Sequence, residues 1–158
     1  MLWNPLNSEL ISIADDKQLS TWKVNHEATF EEAHGNVYVP KKSIDLSHHC
    51  IAVSWCPDQS FMALAFVDGS LRIVSFDKSS GTLKIDKTMD NAHHGAVTCL
   101  SWNSDGTALI SGGEDGVIKQ WSRSGNLRSK LFQSAHSIHS VSWSPNNQSI
   151  VYATDSFA

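Results

Sequence analysis

An all-β chain built from repeated four-stranded sheets is what this sequence predicts, and three observations carry the prediction. Tryptophans close four similar short runs, LWNP at Trp3, VSWCP at Trp55, LSWNS at Trp102 and VSWSP at Trp143. Their spacings of 52, 47 and 41 residues lie near the roughly 40–45-residue period of a four-stranded propeller blade. A second landmark follows 19 residues later, as Trp22, Trp121 and, in the window of Trp55, Val74. Six residues before each of these stands an aspartate: Asp16, Asp68 and Asp115. The segments between are short alternating runs separated by polar turns, the signature of hairpins.

The fourth window would place its second landmark beyond residue 158. About three and a half blades are therefore expected, with 47–90 and 91–134 whole and 1–46 and 135–158 incomplete. On this reading the chain is a piece of a longer propeller.

Taken in order, the first window supplies strands near 9–14 and 19–24 and a weak one near 28–32. Residues 37–46 contain Pro40, which removes a ladder donor, so they read as an extended connection with room for one short edge strand. The second window alternates most clearly, over 51–55, 61–66, 71–76 and 83–87. In 61–66, Phe61, Ala63 and Ala65 share one face and Met62, Leu64 and Phe66 the other. Two apolar faces suit a strand sandwiched between neighbouring layers. The third window predicts strands at 97–102, 108–112, 117–121 and 127–132, with Gly112-Gly113 allowing a bulge or a close backbone approach. The last gives 138–143 and 149–153, and the tail 155–158 is expected to fray.

These landmarks resemble the WD-repeat family, whose blades carry a Gly-His-type turn, a turn aspartate and a tryptophan ending the third strand. The resemblance implies that His93, Ser111, Asp115 and Trp121 form the family's structural hydrogen-bond tetrad. Ser12, Asp16 and Trp22 match part of the same set. The second window keeps Asp68 but has Leu64 and Val74 in the serine and tryptophan places, so packing is expected to replace the polar network there. The run GTALISGGEDGVIKQWSRSGNLRS, residues 106–129, is similar to a blade of the intraflagellar transport protein 80 family. That resemblance implies a non-catalytic protein-interaction scaffold of complex B, working in cilium assembly with other complex B subunits as partners. A WD-repeat adaptor or reader in a chromatin, ubiquitin-ligase or vesicle-coat assembly is the alternative.

Composition fits such a module. The chain is 41% hydrophobic and 18% charged, and its 12 basic and 16 acidic residues give a net charge of −4. That balance argues against a nucleic-acid footprint and against a polybasic membrane patch. No apolar run approaches the roughly 20 residues of a membrane span, and no signal peptide is evident. With three cysteines at irregular places, no disulfide framework is expected, and the cytoplasm is the expected compartment.

Candidate chemistry is sparse. His48-His49-Cys50 with Cys56, and His93-His94 with Cys99, lack the paired spacing of a zinc site, and no metal or cofactor is expected. Ser111, His93 and Asp115 have the composition of a hydrolytic triad, but no GxSxG elbow accompanies them. Glu114-Asp115 reads as a turn, and the sequon Asn147-Gln148-Ser149 reads as silent. Lys119, Arg123, Arg128 and Lys130 form a modest basic group, read as a solvated edge.

Overall fold

The computed structural model describes residues 2–4, 9–24, 38–77, 80 and 82–155. Among them are fourteen strands and no helix. They fall into two compact units, Met1–Ser47 and His48–Ala158. No helix of the described residues is long and apolar enough to cross a membrane.

The first unit is one antiparallel sheet, ordered β1 (Leu2–Asn4), β2 (Glu9–Ile13), β3 (Gln18–Val24) and β4 (Tyr38–Asp45). Ile11 and Leu19 are fully buried and anchor it. Where 37–46 is expected to be a connection with room for one short edge strand, the edge strand is there but longer: β4 has eight residues and pairs along β3. Pro40 is accommodated because β4 is an edge strand and the register shifts between Thr21 and Trp22, where Trp22 meets Pro40. An edge position and a bulge are where a proline leaves the ladder intact. The strand expected near 28–32 lies outside the described residues.

The second unit holds two four-stranded sheets and one pair. The second sheet runs β5 (Cys50–Trp55), β6 (Phe61–Phe66), β7 (Leu71–Asp77) and β8 (Thr82–Met89). The third runs β9 (Val97–Trp102), β10 (Ala108–Gly113), β11 (Val117–Ser122) and β12 (Leu127–Gln133). The fourth is the pair β13 (Ile138–Trp143) and β14 (Ile150–Thr154). Three four-stranded antiparallel sheets followed by a half-sheet make this an all-β propeller fragment.

Short polar turns set the register of six hairpins among the described residues. Between first and second strands, Asp58, Asp105 and Asn146 each accept a hydrogen bond from the N–H two residues on, at 3.1, 3.0 and 3.1 Å. Asp16, Asp68 and Asp115 do the same between second and third strands, at 3.0, 3.0 and 3.1 Å. These are Asx turns, in which a short carboxylate or amide replaces a missing backbone acceptor. The residue after each aspartate of the second set, Lys17, Gly69 or Gly116, has φ of 59°, 82° or 72°. Its carbonyl then accepts a bond from Leu46, His93 or Ser134 beyond the fourth strand. At Gly116 a Cβ would lie 2.4 Å from the Ser134 carbonyl oxygen, so only glycine fits.

The core sits between the sheets. Cys56, Ala63, Ala65, Leu71, Ile73 and Met89 of the second sheet meet Val97, Trp102, Leu109 and Trp121 of the third. On the other side of the third sheet, Cys99, Ile110 and Ile118 pack against Ile138 and Val141. Because side chains alternate across a strand, Leu109 serves one core and Ile110 the other, which is why the run predicted for β10 is apolar on both faces.

Candidate functional site

The best-defined polar constellation is built on the turn joining β10 to β11 and on the lead-in to β9. It brings together four of the residues singled out in the sequence. Trp121 Nε1 donates to Ser111 Oγ at 2.8 Å, Ser111 Oγ lies 2.7 Å from His93 Nε2, and His93 Nδ1 lies 2.9 Å from Asp115 Oδ1. Ser111 is wholly buried, His93 is 2% exposed and Trp121 5%.

Hydrogen-bond accounting fixes the direction of this chain. Ser111 Oγ accepts from the indole, and among the described residues the one acceptor in reach of its own proton is His93 Nε2; with that proton on Nε2's lone pair, the ring carries its own on Nδ1 and gives it to Asp115. Every polar atom is satisfied only if the imidazole is neutral and the carboxylate ionised. The electrostatics agree. Burial pushes the His93 pKa below the usual histidine value, outweighing the pull of Asp115. For Asp115, burial alone would raise the pKa, but hydrogen bonds from His93 and from the His94 and Val117 amides hold it below the ordinary carboxylate value.

The surrounding loop is clamped by contacts that the sequence alone does not give: there Glu114 reads only as part of a turn, and Lys119 as part of a solvated edge. Asp115 Oδ2 accepts from the His94 amide at 3.0 Å, and Glu114 Oε2 accepts from the Ala96 amide at 3.0 Å. Lys119 Nζ donates to the Ala92 carbonyl. Glu114 and Asp115 thus diverge onto two backbone amides and present no carboxylate pair to a substrate. Gly113 makes the close approach: a Cβ there would lie 2.7 Å from His93 Nδ1. The glycine pair was legible as a site of close approach; that the approaching group is an imidazole was not.

Chemically, a serine bonded to an imidazole bonded to an aspartate matches the connectivity of a hydrolytic triad. Here, however, the hydroxyl is sealed from solvent and already holds an indole N–H, so no substrate carbonyl reaches it.

The equivalent turns elsewhere are simpler. In the first sheet Trp22 Nε1 donates to Ser12 Oγ at 2.8 Å, and Asp16 caps its own turn. In the second sheet Leu64 and Val74 are wholly buried, and His48 Nδ1 meets Asp68 Oδ2 from outside at 3.5 Å, the two side chains 52% and 37% exposed. Phe66, fully buried, stands there where the third sheet has Gly113, leaving no room beside the turn for an imidazole.

The remaining candidates do not converge. Among the described residues no group of three or more His, Cys, Asp or Glu is placed to hold a metal ion. All three cysteines are free thiols. Burial pushes Cys50 and Cys56 up to about 11 and raises Cys99 as well, so none is a ready thiolate. The basic group divides: Lys119 binds the Ala92 carbonyl and Lys130 Nζ reaches Gln133 Oε1, while Arg123, paired with Asp58, and Arg128 border one cleft. Asn147 of the sequon accepts from the Ser104 amide and hydroxyl at 2.8 and 2.9 Å, tying the third sheet to the fourth.

Comparison with known proteins places this geometry. The chain is 33% identical over 148 residues to the Intraflagellar transport protein 80 homologs of Mus musculus and Rattus norvegicus, a match covering 91% of this chain and 18% of theirs. It is 29% identical over 143 residues to the F-box-like/WD repeat-containing protein TBL1X of Mus musculus, covering 82% of this chain and 27% of that protein. The chain therefore spans less than a third of the length of these relatives. Residues 53–146 match the family described as the Anaphase-promoting complex subunit 4 WD40 domain. With that match covering more than half of the chain, including the whole third sheet and its tetrad, the chain belongs to the WD40-domain family.

Proposed function

We propose that this chain is a non-catalytic protein-interaction platform, and that it works as a WD-repeat subunit of the intraflagellar transport complex B in the cytoplasm and cilium. The observation that carries this reading is the 33% identity over 91% of the chain to intraflagellar transport protein 80 homologs. In it the four sheets are blades 1–46, 47–90, 91–134 and 135–158, and His93, Ser111, Asp115 and Trp121 lock one of them. Its partners are proteins, with no nucleic acid and no membrane insertion. The burial of Ser111 supports a lock over a nucleophile.

Affinity purification of the tagged full-length gene product from ciliated cells, followed by mass spectrometry, tests it. Complex B subunits in near-stoichiometric yield are the expected result. A second reading, an adaptor in a ubiquitin-ligase or chromatin assembly, is favoured by the 29% identity to the F-box-like/WD repeat-containing relatives. Recovery of ligase or chromatin components in place of complex B subunits would replace the first reading with the second.

A further inference from the structure

Between the second and third sheets opens a cleft of about 630 Å³, within the range of roughly 300–1,000 Å³ typical of ligand sites. It lies beside β8 at the turn between β11 and β12, away from the tetrad. Phe61 and Ile73 line its apolar side, and Lys87, Arg123 and Arg128 bring positive charge to it. One carboxylate, Asp86, also borders it and faces Lys84 at 3.7 Å.

The three cations are not alike. Arg123 is fixed in place: its Nη2 pairs with Asp58 and donates to Ser60 Oγ at 2.9 Å, and its guanidinium lies 4.6 Å from the Phe61 ring centroid. Stacking of this kind presents a flat, preorganised cationic face. Lys87 and Arg128 are exposed, and their side chains have no hydrogen bond or ion pair among the described residues. The stem of Lys87 is nevertheless held, because Gly125, at φ 79°, brings the turn so close that a Cβ would lie 2.9 Å from Lys87 Cγ. A chain of net charge −4 thus keeps around one cleft two cations whose side chains are unpaired among the described residues, and a third that is stacked and ion-paired.

We propose that this cleft docks an acidic peptide segment of a partner protein, with carboxylates on Lys87 and Arg128 and an apolar side chain against the partly exposed Phe61. Charge complementarity selects the acidic segment, and the apolar side distinguishes a peptide from a free anion, which has no use for it. The proposal rests on the interaction-platform reading and adds a surface and a chemistry to it.

The test titrates the ¹⁵N-labelled chain with the synthetic peptide acetyl-Glu-Asp-Leu-Phe-Asp-Glu-amide, with its Lys/Arg counterpart, and with inorganic phosphate. Expected are shifts confined to 86–87, 107 and 122–128, affinity that weakens as salt rises, and no response to the basic peptide. In the double variant Lys87→Glu/Arg128→Glu, at exposed positions that leave the spectrum elsewhere unchanged, the dissociation constant should rise at least tenfold; Arg128→Glu alone should fall between. Absence of binding, shifts centred elsewhere, equal response to phosphate, or indifference to the double variant overturns the proposal. If the peptide fails while purification still recovers complex B subunits, the cleft falls and the platform stands; the reverse outcome removes the transport assignment and leaves the cleft.

Discussion

The second and third sheets share a turn and differ in what lies beneath it. Both use an aspartate to cap the turn and a glycine at positive φ to close it. Under Asp115 runs a buried chain of indole, hydroxyl and imidazole; under Asp68 are Leu64 and Val74, wholly buried, with a half-exposed histidine outside. The capped turn is therefore the common device, and the network is one of two ways to fill the space behind it. A satisfied buried network gives geometric uniqueness; an apolar filling gives stability without a directional requirement. The first sheet, with its Trp22–Ser12 bond, stands between them.

Truncating the equivalent positions breaks the comparison most sharply. Trp121→Ala should cost about 4 kcal/mol, through lost burial, a cavity and the loss of the indole N–H that Ser111 Oγ accepts. Val74→Ala should cost about 2 kcal/mol, the transfer and cavity terms of two methyl groups. Urea unfolding of both variants measures the difference, and equal losses would erase the distinction between the sheets.

Acid should separate them next. Burial holds the folded-state pKa of His93 below its unfolded value, so the unfolded chain takes up the proton first. Stability is then full above about pH 6.5 and falls as the pH drops below it. Asp115, also held low, adds a further loss below about pH 4. The variant His93→Phe should start less stable at pH 7.5 yet lose less between pH 7.5 and 5.5. A parallel decline of both chains would show that His93 is not the titrating group.

The smallest effect belongs to the second sheet's own histidine. With both partners exposed and 3.5 Å apart, His48→Ala should change stability by less than about 0.5 kcal/mol. A loss above about 1 kcal/mol in the same unfolding assay would mean that this pair resembles the buried one.

The repeat was legible because fixed offsets recorded it: each aspartate lies six residues before Trp22, Val74 or Trp121. The grouping of His93 and Ser111 with Asp115 and Trp121 came from the family resemblance and not from spacing. The replacement of the network in the second sheet was equally plain in Leu64 and Val74. What escaped was whatever depends on distance between sheets. Glu114 read as half of a turn, yet its carboxylate holds the Ala96 amide 18 residues away. Arg123 and Arg128 read as a solvated edge because their cleft is completed by Lys87 and Phe61 of the preceding sheet. β4 was obscured by Pro40, whose meaning changes once the strand is seen to be an edge paired across a bulge.

The central claim is that Ser111 belongs to a structural lock and not to a reacting group. The variant Ser111→Ala, unfolded in urea at pH 7.5, tests it most directly. Removing the hydroxyl leaves Trp121 Nε1 and His93 Nε2 buried without partners, so a loss of about 3 kcal/mol is expected. A variant as stable as the parent, or more so, would contradict the lock and return Ser111, His93 and Asp115 to the list of candidate catalysts.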